Sequence, residues 1–412
     1  MASTVAIARH HDLTLVENLP AEDRWLRRRV GLAWSLLIVN VLTFYTTTWS
    51  GLPLAIPIPS ILGRLITQGS LPLALLVAIS VNRRLAIRPN AFLCLLSLLV
   101  VAAFVVMLEP GHIGTIYRTF RFAGFVATLW LLTPYWGRRD LLLVRCYLTA
   151  ITVVIGTVLL GILVSPGTAY AQGRLEGALW PYPPTQVAHF AAVAAGMIIL
   201  LWLCGLASGR LCLLSVVIGV PVLLATHTRT ALVAMLAGIL VAGLSLFTVK
   251  ARVRKLFVGA SLALSIGAIT LSGFATTWLA RGQNSADLGN LTGRTNVWAQ
   301  VLSTQRNLFE TIFGFGMSNL SFNGLSIDSN WLGAYMDFGL IGVALTASLL
   351  LFLLVSAYFQ PAGPQRAIAL FLVVYCAISS FTETGLSDPS LYLLDLALAA
   401  SLLVPIAHRR HA

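Results

Sequence analysis

Apolar residues in this chain do not alternate with polar ones. They run together in long blocks, and each block is bounded by Arg, Pro, Gly or an acid. A block of about 18 or more apolar residues is long enough, as a helix, to cross the ~30 Å hydrocarbon layer of a bilayer. Twelve blocks qualify as candidate spans, at roughly 31–50, 65–82, 91–108, 115–136, 141–165, 184–207, 211–227, 230–249, 256–279, 331–358, 366–384 and 389–407. Pro53, Pro57 and Pro59 break the stretch before the second block, so 51–64 is expected to be re-entrant or interfacial. The longest polar interval after the N-terminal tail is 280–330, between the ninth and tenth blocks. Within it, Trp298, Val301, Leu302, Leu308, Phe309 and Ile312 recur at helical spacing. Gln300, Ser303, Thr304, Arg306 and Glu310 fill the other side. The pattern predicts one amphipathic helix of about five turns over Thr295–Phe313, lying on the membrane surface. Thr292 or Gly293 is placed to cap its start, and Gly314 and Gly316 to end it.

Composition narrows the class. The 412 residues are 58% hydrophobic and only 10% charged, against about 25% charged in a soluble domain. The expected fold is all-α, a polytopic transmembrane helical bundle of about twelve spans with one large extracytoplasmic loop. The short alternating segments of a transmembrane barrel do not occur. The expected organisation is a cytosolic tail at 1–30, nine spans over 31–279, the outer loop at 280–330, three spans over 331–407 and a short cytosolic tail at 408–412. The first thirty residues carry Asp12, Glu17 and Arg27–Arg29 without a cleavable apolar core, and read as a tail rather than a signal peptide.

The net charge of +13 would suit a nucleic-acid partner, but its distribution does not. With the N-terminus inside, 19 of the 27 Lys and Arg fall in the tails and in the short loops around 83–88, 138–145, 210, 250–255 and 366. That is a topology signal, and it places both termini in the cytoplasm with no nucleic acid as partner. Nine of the 14 carboxylates fall at the outer face or inside spans, beside Arg64, Arg118, Arg121, Arg174, Arg229, Arg281, Arg294 and Arg306. An outer face with arginines and acids in near balance suits an anionic, hydroxyl-rich substrate. Cys94, Cys146, Cys204, Cys212 and Cys376 all lie in apolar runs without metal or redox spacing, and read as small buried hydrophobes.

The candidate chemistry sits outside. Arg118 and Arg121 share a helix face one turn apart. Arg229 opens a span in THTRTAL, Arg294 opens the amphipathic helix, and Arg174 sits in GRLEG. Arginine suits phosphate through its planar fork, and the competing reading is snorkelling to headgroups or pairing with Glu109, Glu176 or Glu383. Asp328 heads DSNWL at the end of the loop, and Glu383 and Asp388 lie where the eleventh block gives way to the twelfth. Transfer to a hydroxyl needs a base or an orienting acceptor, and Asp328, Glu383 and His227 are the candidates. Asp328 also has the alternative of capping the following helix. His189 reads as a satisfied core histidine and Asp395 as bonded to a neighbouring helix. No three ligands are spaced for a metal, so neither a catalytic metal nor a cofactor is expected.

Four strings carry a family resemblance: TRTAL (Thr228–Leu232) opening a span, Gly293-Arg294 with Trp298, GFG at 314–316, and DSNWLGAYMDFGLIG (Asp328–Gly342) leading into a span. In this order around one outer loop, and over roughly residues 90 to 405, the chain resembles the O-antigen ligase and O-antigen polymerase family of bacterial membrane glycosyltransferases. The resemblance implies an enzyme of the inner (cytoplasmic) membrane that serves cell-envelope polysaccharide biosynthesis. It would perform metal-independent, inverting transfer of a glycan from a polyprenyl pyrophosphate carrier such as undecaprenyl pyrophosphate. The acceptor would be a hydroxyl of a glycan, lipid or protein, and Arg229 and Arg294 would hold the pyrophosphate. Asp328 stands where ligases of the family carry His, which leaves polymerisation and ligation through another base both open. Two other classes are a transporter or flippase for a polar or lipid-linked solute, and a membrane scaffold. Charges inside the spans and matched repeats would favour transport.

Overall fold

The computed structural model describes residues 21–42, 59–108, 115–138, 140–171, 173–257, 259, 294–317, 321–322 and 325–404. Arg281, Thr292, Gly293, Glu109 and the ninth candidate span beyond 259 lie outside them. Within them the chain is all-α: thirteen α-helices, one 3-10 turn and two two-stranded hairpins. In order these are α1 Ala21–Val41, α2 Ser60–Val81, α3 Ala91–Met107, α4 Ile116–Leu132 with the 3-10 turn Thr133–Tyr135, α5 Leu142–Val164, β1 Tyr170–Ala171, β2 Arg174–Leu175, α6 Pro184–Leu203, α7 Gly209–Ala225 and α8 Arg229–Leu246. After the outer-loop segment come α9 Arg294–Ser303, α10 Leu308–Phe313, β3 Ser321–Phe322, β4 Leu325–Ser326, α11 Asn330–Phe359, α12 Pro364–Ser379 and α13 Leu391–Leu403.

Among the described residues, α2, α5, α6, α8 and α11 are long and apolar enough to cross a membrane, and α3, α7, α12 and α13 are shorter apolar helices. The chain thus has the character of a multi-pass membrane protein. The first helix starts earlier than the apolar pattern suggests. It runs from Ala21 through the basic turn because those arginines have partners. Arg27 pairs with Asp140 at 3.0 Å, and Arg29 donates to Ser80 Oγ at 3.1 Å. Arg138 closes on the same carboxylate at 3.2 Å.

The centre of the bundle is α12, packed against α8, α6, α13 and α11. Its Phe371 lies where small residues let helices approach: a Cβ on Gly196 would come within 2.2 Å of the Phe371 ring and one on Gly238 within 2.8 Å. His189 on α6 and Asp395 on α13 are both buried there, with Nε2 and Oδ2 3.2 Å apart. The approach joins two core helices, as expected of Asp395, but among the described residues neither ring nitrogen of the buried His189 makes a hydrogen bond, so it is not the satisfied core histidine read from the sequence.

Two expectations change at the outer loop. The single five-turn helix is two helices. Asn307 builds a capping box with Glu310, accepting from Glu310 N–H at 2.7 Å while its own N–H donates to the Glu310 carboxylate at 2.9 Å, so a new helix starts there. The next helix, α11, is broken. Gly339 takes φ 62°, ψ −151° inside it, which frees carbonyls in the preceding turn. The GFG segment fills them: Phe315 N–H donates to Met336 O at 2.7 Å and Gly316 N–H to Asp337 O at 3.0 Å. Both glycines are required by closeness as well as by φ. A Cβ on Gly314 would stand 2.5 Å from the Asp337 carbonyl carbon, and one on Gly339 2.5 Å from Ile312 O. Beyond the break, 340–359 is about 30 Å of helix, the thickness of a hydrocarbon layer. Asp337 therefore belongs to the loop-bound part of α11, where it is buried.

Candidate functional site

The site grows from the turn between α7 and α8. Thr226 ends α7, donating from Oγ1 to Leu223 O at 2.7 Å. His227 follows in the left-handed region at φ 51°, and Thr228 precedes Arg229, the first residue of α8. Three residues thus reverse the chain. Arg174, on the short β2 arm, clamps the turn from outside. Its Nε donates to Thr226 O at 3.0 Å and its Nη2 to Thr228 Oγ1 at 3.2 Å.

The loop between α12 and α13 comes down onto the same place. Thr382 Oγ1 meets Thr230 Oγ1 at 2.8 Å. Asn330, the first residue of α11, donates its N–H to Ser380 O at 2.9 Å, and its Oδ1 accepts from Leu386 N–H at 2.7 Å and Gly385 N–H at 3.2 Å. Asn330 is buried, so these bonds fix the loop to the head of α11. Arg294, opening α9, reaches Asp328 with Nε 3.0 Å from Oδ2. Ser326 Oγ donates to the other oxygen at 2.5 Å. The capping alternative for Asp328 is corrected here. The N-cap of α11 is Ser329, which makes no side-chain capping bond, and the Asp328 carboxylate is bonded to Arg294 and Ser326 instead.

Glu383 sits among these groups, half-buried in the loop. Burial pushes its carboxyl up to about 7, the Arg294 charge pulls it down, Asp328 pushes it up and Arg174 pulls it down. Burial lowers the Arg174 guanidinium, and Glu383 opposes that. Four charged side chains from four separated segments thus act on one another: Arg174, Arg294, Asp328 and Glu383.

Arg118 and Arg121 belong to a second group. They face Asp388, whose carboxyl is raised by burial and lowered by Arg121 and Arg118. Arg121 is held by Asn40, with Nη2 donating to its carbonyl at 2.9 Å and Nε to its Oδ1 at 3.3 Å. This group lines a cavity of about 1230 Å³ that also takes in Glu383, Tyr117, Trp180 and Tyr392. The arginines read as one phosphate-binding set from the sequence are therefore two sets, joined by the loop that carries both Glu383 and Asp388. Arg229 and His227 stand in the clamped turn beside the first set. Asn330 and Asp388 carried no signal of their importance in the sequence beyond lying at helix ends near the outer side. Among the described residues, no three His, Cys, Asp or Glu side chains gather as a metal site.

No protein-family model matches the chain, and no curated protein matches it.

Proposed function

We propose that the chain is a glycosyltransferase of the bacterial inner membrane, with about twelve spans and both termini cytoplasmic. It moves a glycan from a polyprenyl pyrophosphate to an acceptor hydroxyl on the outer face, with no metal or other cofactor. The observation that carries this reading is the meeting of Arg174, Arg294, Asp328 and Glu383, from four separated segments, at the turn that presents Arg229. Arginines supply what a metal supplies elsewhere: fixed positive charge where the leaving pyrophosphate develops its negative charge. Arg229 and Arg294 hold the two phosphates, and Arg174 fixes the turn and adds its field. Asp328 orients Arg294. This shifts its role from base to positioning residue, because both its oxygens are already bonded.

Glu383 is the base. Near neutral pH a carboxylate poised at about 7 matches its task better than one near ~4. It takes the proton of the acceptor hydroxyl. The hydroxyl oxygen forms the new bond to the anomeric carbon from the face opposite the carrier. The carbon–oxygen bond to pyrophosphate breaks, its electron pair stays on the phosphate oxygen, and the anion remains with the arginines. The proton then passes from Glu383 to water.

The test is Glu383→Gln in purified, reconstituted protein supplied with lipid-linked glycan from producing cells. Loss of an acid–base group is worth roughly 10²–10⁴-fold in rate, and a drop in that range is expected. Wild-type turnover in this variant would remove Glu383 as base and return the role to His227.

A further inference from the structure

The cavity at Arg118 and Arg121 is larger than the roughly 300–1,000 Å³ of an ordinary small-ligand pocket. It is also long. On α5 its wall runs from Arg145 through Thr149, Ala150, Val153 and Val154 to Thr157, about 18 Å at 1.5 Å per residue. On α2 it includes Gly63, Ile66 and Gln68, and on α1 Ile38 and Val41. α1 packs against both α2 and α5, while α2 and α5 make no comparable contact with each other. Among the described residues the result is a cleft floored by α1 and open between α2 and α5. Its rims, Val153 and Ile66, are exposed apolar side chains, the condition expected of a surface that faces lipid.

The two ends differ in chemistry. Along α1 and α5 the wall carries Ile38, Val39, Val41, Ala150, Val153 and Val154 among small polar side chains, and it begins at Arg145. At the end near the start of α4 it carries Arg64, Arg118 and Arg121, three guanidiniums, against the Asp388 carboxylate. Arg121 is already aimed by Asn40, so little side-chain freedom is lost when it binds. A long trough with apolar residues along its length, three guanidiniums against Asp388 and Glu383 at one end and the single Arg145 at the other is complementary to a molecule with an anionic head and a hydrocarbon tail.

We propose that the cleft between α2 and α5 is a lateral binding site for an anionic lipid, with its phosphate head at Arg118, Arg121 and Arg64 and its hydrocarbon tail along α1 and α5. As a route for a lipid-linked substrate to Glu383 it rests on the transfer reading. As a binding site it does not need transfer, and the test is one of binding.

The full chain is placed in nanodiscs with a phosphatidic acid bearing a photoreactive group near the end of one acyl chain. The same experiment is run with phosphatidylcholine of identical chains. The acid is expected to label the α5 segment 149–157 about tenfold more than the zwitterion, the ratio given by ~1.4 kcal/mol. Arg118→Ala with Arg121→Ala should bring the two lipids level. Val153→Trp, an exposed position that leaves the arginines in place, should block the labelling of this segment by phosphatidic acid. Inorganic phosphate should not compete. Equal labelling of this segment by the two lipids in the wild-type protein overturns the proposal, as does full displacement by inorganic phosphate, which would mark a free-anion site. If the lipid preference holds and reconstituted protein transfers no glycan, the cleft stands and the transfer reading falls.

Discussion

In the proposed reaction Glu383 connects stability to activity at a single carboxyl. Its folded-state pKa, about 7, lies above the ~4.3 of an unfolded glutamate. The folded protein therefore favours the neutral form. Stability is greatest below the unfolded value and falls as pH rises from about 4.3 to about 7. In the proposed reaction the base must be ionised, so activity should rise through the same upper limit. Glu383→Gln removes both dependences. At pH 8 it is expected to be as stable as the wild type or more so, by on the order of 1 kcal/mol because the side chain is half-exposed. Thermal unfolding at pH 5 and pH 8, beside the rate–pH profile, checks both halves. Asp328 behaves differently. Its pair with Arg294 is partly exposed and worth about 0–1 kcal/mol, so Asp328→Asn should keep the fold. It should lower transfer about tenfold by loosening Arg294, a smaller loss than that from Glu383→Gln. Arg294→Lys should recover little of what Arg294→Ala loses, because an ammonium cannot replace the planar fork. Initial rates at matched expression separate these variants.

At the scale of elements, the strings that stood out in the sequence prove to have two kinds of work. THTRTAL and the head of DSNWL bring charge to the site. GFG and MDFGLIG do not. They are the two halves of a backbone joint, in which a broken helix offers carbonyls and a glycine strand supplies the N–H groups. Gly314→Ala or Gly339→Ala puts a carbon 2.5 Å from backbone atoms and forces a left-handed φ on a side chain. Each should cost on the order of 2–3 kcal/mol, and the loss should appear in unfolding as well as in activity. Apolar length was legible from the sequence because helix placement follows hydrophobic blocks. The joint was not, because nothing in the composition of a run says that a helix opens at one residue. The pairing of Arg294 with Asp328, 34 residues apart, was likewise invisible. The capping box that splits the amphipathic helix was written in Asn307 and Glu310, but the apolar spacing across it masked the signal.

At the scale of the whole molecule, charge is sorted to two ends. Arg27, Arg29, Arg138 and Asp140 tie one end together. Arg118 opens α4, whose far end leads to Arg138, and Arg174 follows the far end of α5, which starts just after Asp140. In the proposed topology, with the basic loops cytoplasmic, the site faces outward. In a cysteine-free background, Ser303→Cys should react with a membrane-impermeant maleimide in cells whose inner membrane is intact. Arg84→Cys should react only after that membrane is opened. The reverse pattern would invert the protein and remove the outer-face site. The division of the arginines into two sets could not be read from the chain, because Glu383 and Asp388 are five residues apart and each gathers a different pair.

The backbone joint also closes a ring. Phe315 and Gly316 are bonded to α11 at Met336 and Asp337, and the chain returns to the head of that helix through Asp328 and Ser329. The segment between is a lasso with both feet on one post. Its returning strand is tied to the charges through Ser326, which donates to the Asp328 carboxylate, so a change of length has to spare 325–328. Lengthening it after Phe322 moves neither foot, and doubling a flexible loop costs only about 0.6 kcal/mol in closure. Variation in length is best tolerated there, so an epitope or a fluorescent reporter inserted at that point would ride on the site without disturbing it.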